Sequence, residues 1–136
     1  MILVPFVGVF CLAEQTLILK LNDGSDIIPA LEKLAKDKAI DYGFIESGCG
    51  KIKEFEIISH EQKGSVNRTL FKQQFELDAI SGKIQRTKES GFTIIVRVSV
   101  SSTGFTPKAG QLISGKAAGC LELGIRKVNL KKIIQA

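Results

Sequence analysis

The residues able to do chemistry are few and scattered. The chain has one histidine, His60, and three cysteines, Cys11, Cys49 and Cys120, widely spaced and with no C-x-x-C. A protein metal site needs three or four N, S or O donors gathered at one point. The pattern therefore predicts no metal centre, no cofactor and no disulfide framework, and a reducing cytoplasm is the expected compartment. Cys49 stands between Gly48 and Gly50; it is either a reactive thiol or a small residue in a tight turn. G-x-S-x-G, H-E-x-x-H and the Walker loop are absent. Glu46 beside Ser47 has the chemistry of a base, but carboxylates at strand ends are commonplace, and the sequence leans against an enzyme.

Basic residues are the second chemical resource. Nineteen Lys and Arg stand against fourteen Asp and Glu, a net charge of +5. This mild excess permits contact with nucleic acid or another anion without demanding it. The cations gather locally at Lys51 and Lys53, at Lys83, Arg86 and Lys88, and at Arg126, Lys127, Lys131 and Lys132. Along the chain no aromatic residues interleave with them in the manner of a single-strand stacking platform. Clusters of this kind are usually solvated faces. If they meet DNA, they do so through phosphates and with little choice of sequence.

The elements that must position these groups read as follows. At 136 residues, 44% apolar and 24% charged, the chain is one soluble domain with a core of its own. Met1–Ala13 is apolar but too short for a bilayer span, and no basic n-region precedes it. Residues 1–15 are expected to be an N-terminal extension or edge strand, and export is not expected. Thr16–Leu21 reads as a strand and Asn22-Asp23-Gly24 as a turn. Ser25 or Asp26 can cap a helix over about residues 26–38, with Pro29 in its first turn and Ile27, Leu31, Leu34 and Ala35 on one face.

Beyond the helix the pattern is almost all β. Strands are expected at Tyr42–Glu46, Ile52–Ser59, Thr69–Phe75, Leu77–Ile84, Phe92–Val100, Gly110–Cys120 and Leu121–Val128. Gly64–Asn67 reads as a loop and Ser101–Gly104 as a turn. Along Phe92–Val100 the even-numbered residues share one face, and Thr93, Ile95, Arg97 and Ser99 the other. One early helix and about seven strands on short links predict an α+β fold with a largely antiparallel sheet.

Four stretches, in order, resemble one known family. They are Leu19-Lys20-Leu21-Asn22-Asp23-Gly24 leading into Ile27 and Leu31; Gly43-Phe44-Ile45-Glu46-Ser47-Gly48-Cys49-Gly50, similar to a strand ending in a G-x-G turn; Phe75-Glu76-Leu77-Asp78-Ala79-Ile80-Ser81-Gly82; and Ala109-Gly110-Gln111-Leu112-Ile113-Ser114-Gly115. Together they resemble the plant and prokaryote conserved (PPC) domain from about Thr16 to Val128, so residues 16–136 read as a PPC-like domain. Gly82 and Gly110, inside strand patterns, suggest bulges or close packing.

The resemblance implies a homotrimer with a DNA-binding, regulatory role. In plant relatives a separate AT-hook supplies minor-groove contact, and this chain has no R-G-R-P core. Stand-alone bacterial relatives often carry an H-x-H pair on the long strand and a third histidine in G-G-H-L. The matching positions here hold Ile95, Arg97 and Gln111. Isoleucine cannot ligate a metal, and arginine stays protonated. Arg97, Ser99 and Gln111, with Ser47, Gly48 and Gly50, are thus candidates for a small anionic ligand; the bland alternatives are a structural ion pair for Arg97 and backbone geometry for the glycines. Candidates for nucleic acid are Lys83, Arg86, Lys88, Arg126, Lys127, Lys131 and Lys132.

Overall fold

The computed structural model describes residues 14–60, 64–89 and 91–129. In chain order the elements are β1 (Glu14–Leu21), α1 (Ile27–Asp37), β2 (Tyr42–His60), β3 (Val66–Phe71), β4 (Phe75–Arg86), β5 (Phe92–Ser102) and β6 (Phe105–Val128). The expected N-terminal extension, apart from its last two residues, lies outside the described residues, as do Lys131 and Lys132. No helix among the described residues is long and apolar enough to cross a membrane.

Helix α1 forms where its apolar spacing demands. Ile27, Leu31 and Ala35 are buried on one side, and Pro29 sits in the first turn, where no backbone donor is needed. Asp26 takes the N-cap position with extended backbone but makes no side-chain cap bond. At the other end, the Lys38 N–H donates to the Leu34 carbonyl at 2.9 Å.

Every pairing between strands is antiparallel, in the order β1-β6-β5-β4-β2-β3 with a further β2–β6 ladder. That ladder joins β6 back to β2, so β6, β5, β4 and β2 form a closed circuit of pairings, with β1 and β3 as flanking strands. Ile45, Ile84, Val96, Leu121, Leu123 and Ile125 meet the helix residues in one core. Phe55, fully buried, stacks on Phe71 with ring centroids 5.1 Å apart and meets Phe75 edge-on at 5.4 Å. No buried residue among those described is polar or charged, so every described candidate for chemistry lies at the surface.

The sequence expectation divides two strands that are in fact continuous. Residues 42–46 and 52–59 belong to one strand, β2, and residues 110–120 and 121–128 belong to β6. Ser47-Gly48-Cys49-Gly50 is therefore not a turn. It is an irregular stretch of strand, with register shifts against β6 on both sides of it. Gly50 has φ +133°, and a Cβ there would lie 2.6 Å from the Cys120 carbonyl oxygen, so only glycine lets the two strands close at this bulge. Two smaller corrections concern β3, which begins at Val66 inside the expected loop and ends at Phe71, before Phe75 opens β4. The alternation expected of β5 holds: Val96, Val98 and Val100 are buried, while Ile95 and Arg97 are exposed.

Candidate functional site

Two surface regions collect the chemically capable residues. The first lies where β5, β6 and the far end of β2 meet. Arg97 of β5 is the direct cross-strand partner of Gln111 of β6, and Gln111 also pairs with Ile58 of β2. A cleft of about 380 Å³ opens here, lined by Ile58, Ser59, Arg97, Gly110 and Gln111 among others. On its other flank Arg97 borders a second cleft of about 220 Å³, shared with Ser81 and Ser99. No carboxylate pairs with Arg97 among the described residues. The structural ion pair expected as the bland alternative is thus not formed within the described chain.

Gly110 is fixed in place by packing: a Cβ there would lie 2.6 Å from the Ile58 carbonyl oxygen. Ser47 and Gly48 do not join this region. They line a separate cleft of about 140 Å³ with Ile18, Cys49, Glu122 and Gly124, because Gly48 pairs with Leu123, far along β6 from Gln111. Gly50 serves the bulge. The six candidates for a small ligand therefore divide into Arg97, Ser99 and Gln111, which are gathered, and Ser47, Gly48 and Gly50, which are not.

The second region is at the opposite end of β6. Phe44 of β2 pairs with Arg126 of β6 on one side and Lys83 of β4 on the other, and Lys83 pairs in turn with Ile95 of β5. Because residues directly paired across a sheet share a face, these four side chains form one row on the outer surface. The Lys83 ammonium sits 5.0 Å above the Tyr42 ring, and the Arg126 guanidinium 5.3 Å from the centre of the Phe44 ring. Tyr42 and Phe44 meet edge-to-face at 5.3 Å. Glu46, next on that face of β2, accepts a bond from Arg126 Nε.

The remaining cations end nearby. Arg86 pairs with Asp41 at 3.2 Å, and a cleft of about 260 Å³ lies among Asp41, Tyr42, Arg86 and Lys88. Lys127 reaches the other way and donates to the Lys38 carbonyl at the end of α1, at 3.0 Å. Lys53 is set apart from this group and pairs with Asp23 at 3.0 Å. Thus Lys83, Arg86, Lys88 and Arg126 converge on the end of the sheet formed by the start of β2 and the ends of β4 and β6, while Lys127 lies at the same end but turns to the helix. The expectation that no aromatics interleave with these cations is corrected: Tyr42 and Phe44 do so across the ladder. The sequence signal was the alternation Tyr42, Phe44, Glu46, which puts three residues on one face of a strand.

The family model of the Plants and Prokaryotes Conserved (PCC) domain, the PPC domain of the resemblance above, matches residues 10–129. The chain belongs to this family. Solved structures share the fold at low identity. A PPC protein of Pyrococcus horikoshii superposes with TM-score 0.75 at 18% identity, over 88% of this chain and 82% of that one. A metal-containing protein of Archaeoglobus fulgidus gives 0.73 at 20%, over 85% and 80%. A candidate DNA-binding protein of Bacteroides thetaiotaomicron gives 0.73 at 24%, over 88% and 82%. No curated protein matches the chain.

The PPC residues that would have to hold a metal here do not fit one. Ile95, Arg97 and Gln111 lie on one face of β5 and β6, but they offer no donor atom, a fixed positive charge and a neutral amide. Among the described residues no cluster of three or more His, Cys, Asp or Glu is placed to bind a cation.

Proposed function

We propose that this PPC protein is a DNA-binding homotrimer acting in the cytoplasm, with DNA held through its phosphates. The observation that carries the reading is the convergence of Lys83, Arg86, Lys88 and Arg126 on one end of the sheet, opposed there by Asp41 and Glu46. A candidate DNA-binding role assigned to a structural neighbour with the same fold supports it. Phosphate contacts release condensed counterions, so the logarithm of affinity falls with the logarithm of salt, with a slope of about −0.9 per phosphate neutralised. Titration of DNA at two salt concentrations tests this: salt-insensitive binding contradicts it, and no binding at low salt removes it.

Assembly into a trimer is supported by exposed apolar side chains on the β2–β3 ribbon. Val66 and Leu70 of β3 are 57% and 60% exposed, and half-buried Ile58 lies on the same ribbon. Three copies around one axis would cover these residues and present three copies of any basic patch, raising avidity. Light scattering at micromolar concentration should give three chains; a monomer contradicts it.

A second reading is favoured by the guanidinium of Arg97, which has no carboxylate partner among the described residues. Between two clefts, with the Gln111 amide opposite and the hydroxyls of Ser59, Ser81 and Ser99 around it, Arg97 is suited to a carboxylate or phosphate. Inorganic phosphate should raise the melting temperature of the protein, and Arg97→Gln should abolish the rise. An equal rise in the variant refutes a site at Arg97.

A further inference from the structure

Phe44 is an aromatic residue without a packing role. Of the described phenylalanine side chains, Phe55 and Phe75 are in the core, Phe71 and Phe92 pack against it, and Phe44 does neither. Its partner Tyr42 also lies on the outer face. A half-buried ring at the surface forgoes part of the apolar burial that would stabilise the fold. Here two such rings are held side by side, each with a cation over it, at the centre of the basic end of the sheet.

We infer that this outer face of β2, β4 and β6 takes unpaired bases, so that the DNA engaged here is single-stranded. The inference rests on the DNA-binding reading above and names its ligand class. Three features argue for a strand rather than a duplex. First, duplex phosphates need only cations, and nothing in phosphate contact calls for two rings; bases stack on aromatic and guanidinium planes only when they are unpaired. Second, the platform is a row of cation, ring and cation, Arg126–Phe44–Lys83, set by strand register. An extended strand lying across it meets bases at the rings and phosphates at the flanking charges. Third, Glu46 holds Arg126 over Phe44. The guanidinium is thereby held 5.3 Å from the ring centre, where its charge borders the stacking surface.

Fluorescence anisotropy with a labelled oligothymidine and a duplex of equal length, both at low salt, tests the inference. The single strand should bind more tightly. Phe44→Leu should weaken it by about tenfold, within the range found when one stacked base loses its aromatic partner, and leave duplex affinity unchanged. Tyr42→Leu should act in the same direction, and Lys83→Gln should weaken both ligands together while lowering the salt slope. Phe44 lies outside the core, so the urea midpoint of its variant should match the parent; if it does not, Tyr42→Leu decides. Equal affinity for both forms, with both leucine variants indifferent, overturns the stacking platform and leaves phosphate-based DNA binding standing. Failure of the parent protein to bind either form removes the underlying reading itself.

Discussion

Replacing Gly82 by alanine should cost about 2 kcal/mol of stability, by a route that can be traced atom by atom. Gly82 lies mid-strand in β4, paired to Ile45 of β2 on one side and Val96 of β5 on the other. A Cβ there would stand 2.5 Å from the Ile95 carbonyl oxygen and 2.9 Å from Ile45 Cδ1. Ordinary carbon–carbon contact begins near 3.5 Å, so the Ile45 methyl must yield by roughly 0.6 Å. The carbonyl must yield by more, and it belongs to the backbone of the β4–β5 ladder. Overpacking of this kind costs roughly 1–3 kcal/mol, and a backbone obstacle puts the cost at the upper end. Losing glycine's freedom in the unfolded chain returns roughly 0.4–1 kcal/mol. In urea, where small domains lose about 1–3 kcal/mol per molar, the midpoint should fall by about 1 M. Parent and variant must be compared at equal protein concentration, because association shifts apparent stability. Gly91→Ala is the control: its new Cβ would meet only the Thr87 hydroxyl, at 3.3 Å, and the change should stay within about 0.5 kcal/mol. An unchanged midpoint for Gly82→Ala, or equal losses for both variants, refutes the close approach of β4 and β5.

Three further outcomes are expected. Phe55→Ala should lose about 3–5 kcal/mol in the same urea assay, because it removes a fully buried ring from its contacts with Phe71 and Phe75; a loss under about 1 kcal/mol would contradict the packing described. The Gly119 N–H and the Lys53 ammonium beside Asp23 hold its carboxyl below its ordinary value of 3.8. Asp23 therefore stabilises the fold above the unfolded value, and that contribution is lost as pH falls through the lower folded one. Asp23→Asn should flatten this acidic part of the stability profile, and an unaltered profile would refute the linkage. Protein dialysed without chelator should hold no stoichiometric zinc by elemental analysis; about one zinc per chain would show that donors other than Ile95, Arg97 and Gln111 assemble a site.

The helix and the central strand were legible because their signals are local. Ile27, Leu31 and Ala35 repeat at the helical period, and Val96, Val98 and Val100 alternate without interruption. The continuity of β2 and β6 was not legible, because a glycine carries the same local signal at a turn and at a close approach between strands. Gly48 and Gly50 punctuate the sequence as a turn would. What keeps the strand running is its distant neighbours: Ile80 and Leu77 of β4, with Leu123 of β6, fill the space where a side chain on Gly48 would lie, and the Cys120 carbonyl of β6 does the same at Gly50. The Phe44 row was hidden for a related reason. Arg126, Phe44 and Lys83 are neighbours only through ladder register, and a search for aromatics between cations along the chain cannot find cations and rings that alternate across it.

The gathering of Arg97 and Gln111 is a different case, since only family resemblance, and no spacing, brought the two positions together before the ladder did. Their direct pairing gives the substitution a physical meaning. The neutral imidazoles that the family resemblance implies at these positions in relatives would suit a cation, because the ring nitrogen without a proton offers a lone pair and carries no charge of its own. Arg97 at the same place offers only N–H donors and a charge that never leaves at accessible pH. Like charges a few ångströms apart repel by about 4 kcal/mol at the effective dielectric of a protein surface, and a divalent ion would double that. On the small-ligand reading proposed above, Arg97 favours an anion over a cation in the cleft between Ser59 and Gln111, while Gly110 and the β5–β6 register shape the cleft.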